Sequence, residues 1–496
     1  MRRTLIGLVL ALVAGLVALP APSYAGDPDD RAAAARPEQR GRWLLDGAGR
    51  VRIDHGVNMV FKRTPYAPDA TGFGADDARF LQRNGFTTVR LGLIWRAVEP
   101  RPGRYDDAYL DRVARTVRIL DRHGIVSLLD FHQDLYHERF QGEGAPTWAV
   151  QDDGLPAQPQ AGFPGNYFAM VAMWRAYDHF WANDPGPGGV GLQDRYAAAW
   201  RHVAKRFEGT PGVQGFDIFN EPFPGSQWET CLNPVGCPVW DRTLTEFSQR
   251  VIDAIRTVDD RTTVYYEPQL FFNDGVPTYV APEGTRLGFS FHDYCGTSAI
   301  ADSYGVECDV LDGMTFDNAD KQADEHGVTP LLTEFGATQD PTTLESVTDL
   351  AMQHLVGWQY WAYCGCDDPT TTGPGTKQAL VIDPSKAPRG DNVDTAKLRI
   401  LAVPHPLRVA GTPTSYSFDR ETHAFSFAWS AQKAGRNAMF PSSARTRVVL
   451  PRLQYPDGYR VTADGARVLS EPGARVLVLR LLAAHDSAEI RVVPRG

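Results

Sequence analysis

The chain has 496 residues, 43% of them apolar, and a formal charge of −10. That length holds one large domain and a smaller one around deep cores, and the composition excludes a disordered chain. The acidic balance excludes a nucleic-acid partner, which needs a basic footprint, and electrostatic attachment to an anionic membrane. The first 25 residues read as a secretory signal: Arg2 and Arg3, an apolar run over 5–19, then Ser23 and Ala25 as a small-x-small cleavage site. The mature chain is expected to begin at Gly26 and to be secreted. An uncleaved anchor is the competing reading, but the run is short for a span, and no later segment is apolar enough to cross a bilayer.

Residues 26–40, rich in Ala, Asp, Arg and Pro, follow as a flexible lead-in. Residues 43–53 predict a hairpin about Asp46-Gly47-Ala48-Gly49. Eight buried strands then come at 55–60, 87–95, 125–134, 213–222, 262–270, 287–295, 329–338 and 357–364. Helical periods lie between them at 107–123, 192–208, 240–258 and 343–356. In the first, Leu110, Val113, Val117 and Leu120 recur at three- and four-residue steps and Gly124 ends the run. Buried strands alternating with helices mean a parallel sheet, so residues 41–401 predict an α/β fold, a (β/α)8 TIM barrel, with one insertion at 135–190.

The insertion carries a helical stretch at 166–183 crowded with aromatic and Met side chains, Met173 and Trp174 among them. It serves as core on the barrel flank, or as the apolar wall of a site, or as both through two faces. Beyond Pro404-His405-Pro406 the text turns β-rich at 415–419, 424–429, 446–450 and 475–481, which predicts a small C-terminal all-β sandwich over 402–496. A carbohydrate-binding role for that domain would require Tyr416, Trp429, Tyr455 and Tyr459 as exposed platforms.

The cysteines are Cys231, Cys237, Cys295, Cys308, Cys364 and Cys366. An even count in an exported chain suggests disulfides. Short loops favour Cys231–Cys237 and Cys295–Cys308, whereas the single residue between Cys364 and Cys366 argues against that pair. The spacings are not those of a zinc site, so no metal and no other cofactor is expected.

In a parallel barrel the active site lies at the C-terminal strand ends. Here those ends are polar: Asp130-Phe131-His132-Gln133-Asp134 on the third strand, Asn220-Glu221-Pro222 on the fourth, His292-Asp293-Tyr294 on the sixth, Thr333-Glu334-Phe335-Gly336 on the seventh and Trp358-Gln359-Tyr360-Trp361 on the eighth. Glu221 and Glu334 are placed to face each other across the barrel mouth. Two such carboxyl groups are what glycoside hydrolysis needs, one to protonate the leaving oxygen and one to attack or to activate water. Structural pairing with barrel arginines is the bland alternative.

On these motifs the chain resembles glycoside hydrolase family five, which sets its acid/base after Asn on strand four and its nucleophile on strand seven. The resemblance covers roughly residues 40–400. Arg90, His132, His292, Tyr294 and Trp361 fall where that family's other site residues lie. The stretch 130–134, Gly154-Leu155-Pro156 and Asn220-Glu221-Pro222-Phe223 are further similar to secreted bacterial endoglycoceramidases, which cut between an intact oligosaccharide and ceramide and also carry a β-sandwich after the barrel. The run Trp361-Ala362-Tyr363-Cys364-Gly365-Cys366 departs from that pattern.

The resemblance implies a retaining hydrolase with Glu221 as acid/base and Glu334 as nucleophile. Arg90 and His292 would support the nucleophile and Tyr294 orient it. Asn220 would bind the sugar 2-hydroxyl, Trp361 stack under the ring, and Lys62, Asp130 and His132 take other hydroxyls. Asp130 and His132 could instead simply bond each other. The implied partner is a glycosphingolipid or another glycan, with transient contact to a membrane or micelle surface and no protein partner. The rivals are a polysaccharide endoglycanase of the cellulase or mannanase type, and a non-catalytic glycan-binding protein, against which the presence of both glutamates speaks.

Overall fold

The computed structural model describes residues 37–495. The expected signal segment and most of the lead-in lie outside the described residues. Only the end of the lead-in is described, and there Glu38–Arg40 is a strand rather than flexible chain.

Eight parallel strands close into a barrel. In chain order they are His55–Met59, Thr88–Leu93, Val126–Phe131, Val213–Asp217, Thr263–Tyr266, Leu287–Asp293, Thr329–Phe335 and Gly357–Tyr360. They are buried almost throughout, as strands covered by helices on one side and barrel core on the other must be. Around them run amphipathic helices. Asp107–Asp121 starts where the Asp106 side chain accepts a hydrogen bond from the Tyr109 backbone N–H. It turns Leu110, Val113, Val117 and Leu120 onto the barrel. Leu192–Phe207, Pro238–Arg256 and Pro341–Gln353 pack the same way. Helix Cys308–His326 carries no simple apolar stripe and is not legible from periodicity.

The insertion after the third strand breaks at Met170 into helices Gly165–Ala169 and Val171–Trp181. In the second, Met173, Tyr177, Phe180 and Trp181 are buried in the main core. Phe180 and Trp181 meet Phe219 and Phe247 at ring spacings of 5.3–5.7 Å.

The boundary expected near residue 41 is corrected. Trp43–Leu45 and Val51–Arg52 do form the expected hairpin, but they belong to the sandwich rather than the barrel. Val51 pairs with Val409 and Arg52 with Arg408, so the chain's first strands complete a seven-stranded sheet made largely from its end. Leu45, Val51 and Ile53 enter the second core with Phe425 and Trp429, which is what draws the hairpin there. A four-stranded antiparallel sheet packs on the other side of that core. Tyr416, Trp429, Tyr455 and Tyr459 are all buried in it, so they are not exposed sugar platforms. At the domain interface the His55 ring stacks on His405 at 3.9 Å and on Trp358 at 4.4 Å.

Candidate active site

Glu221 and Glu334 meet at the barrel mouth. Pairing between the sixth and seventh strands slips by one residue, from Leu332 opposite Phe291 to Glu334 opposite His292. This bulge sets the Glu334 side chain beside His292. Gly336 then turns with φ +99°, and a Cβ there would lie 2.5 Å from the Tyr360 ring, so the residue after Phe335 must be glycine. Glu221 itself sits at φ +45°, a strained conformation of the kind stored at functional sites.

Carboxylate oxygens of the two glutamates and a ring nitrogen of His292 lie within 4.8 Å of one another. His292 Nδ1 is 2.9 Å from Glu221 Oε1 and 3.6 Å from Glu334 Oε2. Asn273 Nδ2 donates to Glu221 Oε1 at 2.8 Å, and the Tyr294 hydroxyl donates to Glu334 Oε2 at 3.0 Å. Arg90 Nη1 donates to Glu334 Oε1 at 2.5 Å.

Burial pushes the Glu334 carboxyl above its ordinary range, while His292, Arg90 and His132 pull it down and Glu221 adds to the rise. Arg90 and His292 do lie against the nucleophile as expected, but desolvation outweighs their pull. Burial alone would lower His292, but Glu334 and Glu267 lift it well above its usual value, and its ring lies between the two acids.

Arg90, fully buried on the second strand, organises the floor. Its Nε meets Asp217 at 2.9 Å, and its Nη2 meets Glu267 at 2.9 Å, Asn220 Oδ1 at 3.0 Å and Asp130 at 3.1 Å. Glu267 Oε2 also accepts the Glu221 backbone N–H at 2.7 Å. Asp130 faces Arg90 on one side and His132 Nδ1, at 2.8 Å, on the other. The bland expectation thus holds for their mutual bond, and Asp130 lies behind the pocket wall rather than on it. Burial alone would lower His132, but Asp130 and Asp134 raise it to about 10. Its ring stacks on Trp361 with centroids 5.1 Å apart. Lys62 Nζ reaches Asp134 at 2.6 Å, the Thr370 hydroxyl at 2.7 Å and Asp368 at 3.3 Å, and lies 4.4 Å from the Trp361 ring centroid. Those carboxylates hold its ammonium above the ordinary range against the opposing effect of burial.

All ten expected residues fall in this one cluster. Glu267, Asp217, Asn58, Asn273, Asp134 and Asp368 join it without having been singled out. Glu267 follows Thr263–Tyr266, so the same signal was present: a charged residue ending a buried strand. Asp217 carries it too, as the last residue of strand four, whereas Asn58 is an uncharged residue inside strand one. Asn273 and Asp368 lie in loops, where pattern gives no address.

The pocket above the glutamates has a volume of about 200 Å³. Lys62, Asp134, Thr370, Thr371 and Gln378 give it a polar wall, from the loops after strands one, three and eight. Phe163, Tyr167, Phe168, Leu270 and Phe271 give it an apolar wall, from the insertion and the turn Leu270–Asp274. That turn also carries Asn273, the partner of Glu221, so the apolar wall lies on the Glu221 side. Met173 and Trp174, expected on this wall, are not: Met173 is core, and Trp174 donates its indole N–H to the Tyr167 carbonyl, 2.7 Å away.

All six cysteines are bonded, as Cys231–Cys237, Cys295–Cys308 and Cys364–Cys366. The third pair corrects the expectation. Across the one-residue spacer Gly365 the two Cα atoms lie 5.2 Å apart, within the range a disulfide spans.

The profile of the cellulase (glycosyl hydrolase family 5) domain matches residues 58–367, and that of the glycoside hydrolase family 5 C-terminal domain matches 404–493. The chain belongs to glycosyl hydrolase family 5. Within the family it is 34% identical over 452 residues to endoglycoceramidase I of Rhodococcus hoagii (strain 103S), covering 88% of this chain and 84% of that one. Endo-glycoceramidase II from Rhodococcus sp. superposes with a TM-score of 0.75 at 31% identity, over 92% of this chain and all of that one. Its solved forms include a lactosyl-enzyme intermediate, at 29% identity and TM-score 0.72, and a ganglioside GM3 complex, at 28% and 0.73.

Proposed function

We propose that this chain is a retaining endoglycoceramidase, which hydrolyses the bond between an intact oligosaccharide and ceramide. The observation that carries the reading is the two-sided pocket: the polar wall suits a glycan, and the apolar wall lies where a lipid leaving group would depart past Glu221. The family-five relatives that cut glycosphingolipids, one of them solved as a lactosyl-enzyme intermediate, support it.

Glu334 attacks the anomeric carbon, held by Arg90 and Tyr294, and forms a glycosyl ester. Glu221 gives its proton to the departing ceramide oxygen. Water then attacks the same carbon, Glu221 takes up its proton, and Glu334 leaves as a carboxylate. Carboxylate oxygens within 4.8 Å of each other are in keeping with this double displacement, in which one carboxylate attacks directly. Arg90 fixes Asn220, the residue that the resemblance assigns to the sugar 2-hydroxyl, and Trp361 lines the pocket as the platform under the ring. Nothing in the reaction requires a metal.

Mixed glycosphingolipids incubated with the protein should yield whole glycans and free ceramide by mass spectrometry, and proton NMR should show the starting anomer first. Release of single terminal sugars, or turnover of cellulose or mannan with no glycosphingolipid cleaved, would refute the assignment. We further infer that the chain is exported, a reading supported by three disulfides on the catalytic face. Detection of the protein only inside its producing cells would overturn that.

A further inference from the structure

The second helix of the insertion, Val171–Trp181, gives no residue to the pocket wall. One of its buried side chains nevertheless reaches toward the chemistry. The Tyr177 hydroxyl donates to Gln133 Oε1 at 2.7 Å, and the same oxygen accepts the Tyr136 backbone N–H at 3.0 Å. Gln133 is buried just beyond the third strand. Its Nε2 donates in the other direction, to the Asn220 carbonyl at 2.8 Å and to the Glu221 carbonyl at 3.4 Å. The Gln133 carbonyl in turn accepts Asn220 Nδ2 at 3.0 Å.

Those two carbonyls lie on either side of the Glu221 Cα, so one NH2 group spans the backbone torsions that aim the Glu221 side chain. The peptide joining Asn220 to Glu221 is held at both ends: Gln133 takes its carbonyl, and Glu267 Oε2 takes its N–H at 2.7 Å. Glu221 stands at φ +45°, and such a backbone persists only where its surroundings over-determine it. The residue type follows from the partners, two acceptors on one side and two donors on the other. A side-chain amide satisfies both. A carboxylate would face two carbonyl oxygens without a proton, and an apolar side chain would strand the Tyr177 hydroxyl and the Tyr136 N–H.

We propose that Gln133 is a positioning residue for the acid/base, which fixes the backbone of Glu221 and ties it through Tyr177 to the insertion. The proposal rests on the reading of Glu221 as the proton donor. It gives the core side of the insertion a task in the reaction. The Tyr177 ring packs against Tyr136 and Phe223, with centroids 5.1 and 5.4 Å away, which holds its hydroxyl against Gln133. Without the clamp Glu221 keeps its acidity and loses its alignment with the leaving oxygen.

The test is kcat/KM, which reports formation of the glycosyl-enzyme, on two soluble glycosides of the same sugar. Dinitrophenolate departs without a proton, whereas plain phenol needs the acid. Glu221→Gln sets the scale and should lose far more on the phenyl glycoside. Gln133→Met keeps the length and removes the amide. It should fall at least about thirtyfold on the phenyl glycoside and stay within about threefold on the dinitrophenyl one. Gln133→Glu, which keeps the shape, should follow Gln133→Met rather than wild type. Tyr177→Phe removes one hydroxyl and should show the same pattern at about three- to tenfold. Met173→Ser, one turn before Tyr177, should lose stability without any dependence on the leaving group. Circular dichroism checks the folding of each variant. Equal losses on the two glycosides in Gln133→Met and Tyr177→Phe, or no loss, would overturn the proposal. If Gln133→Met does not fold, Tyr177→Phe decides alone. If Glu221→Gln itself shows no dependence on the leaving group, the acid/base reading falls and this proposal with it. If Glu221→Gln shows it and the Gln133 and Tyr177 variants do not, only the positioning role falls.

Discussion

Glu267 tests the site at its least obvious point, because it touches no substrate and yet holds three catalytic parts. Its Oε2 accepts the Glu221 backbone N–H at 2.7 Å, its Oε1 meets Arg90 at 2.9 Å, and the same oxygen lies 3.4 Å from His292 Nε2. Glu267→Gln keeps the volume but turns one oxygen into an NH2 donor, and both of its main contacts are with donors. One must be lost. A hydrogen bond with a charged partner is worth about 1.5–3 kcal/mol, so kcat should fall about 10- to 150-fold, with KM changed little because no sugar contact is removed. The substitution also takes away one of the carboxylates that lift His292, so the alkaline limb of the rate profile should move to lower pH. Steady-state kinetics on a soluble aryl glycoside across pH, with circular dichroism to confirm folding, measure both effects. A kcat within about threefold of wild type and an unmoved limb would refute the view that Glu267 positions Glu221 and His292.

Glu221→Gln and Glu334→Gln should each abolish nearly all turnover with folding intact; residual activity within about tenfold, or about 1.4 kcal/mol, would show that the wrong carboxyl had been named. Phe168→Ser should raise KM for ceramide substrates about five- to tenfold, from roughly half burial of a side chain worth about 1.5–3 kcal/mol, and leave the aryl glycoside unaffected. Met173→Ser should instead lower the melting temperature, because Met173 is core; an unchanged Tm would contradict its burial. His132 is raised from 6.5 to about 10, so the folded state holds its proton more tightly than the unfolded chain. The stability it contributes is complete below about pH 6.5 and lost as pH rises through about 10, so Tm should fall over that window, and less steeply in His132→Gln. Replacing Cys295 and Cys308 by Ala reopens a 13-residue separation; it should destabilise by up to about 3 kcal/mol and reduce kcat through the loop carrying Tyr294, as read by chemical denaturation and kinetics together.

The eight barrel strands, four of the helices and the two glutamates were legible in the sequence because each rests on a local pattern. A run of apolar residues reports burial, a 3.6-residue period reports a helix facing a core, and a carboxylate ending a buried strand is costly enough to imply a task. Local pattern reports that a residue is buried, not against what. The hairpin at Trp43–Leu45 and Val51–Arg52 was recognised as a hairpin, but its pairing with His405–Val409 across the whole barrel is a long-range contact that no period encodes. The same limit hid Glu267, whose contacts with Arg90 and Glu221 exist only once the barrel closes and brings strands two, four and five around one mouth. It also misplaced the apolar wall. The sequence shows that residues 166–183 are dense in Met and aromatic groups. Only the break at Met170 decides that Tyr167 and Phe168 face the pocket while Met173 and Phe180 face the core, because which side of a helix meets which neighbour is fixed by the packing of both.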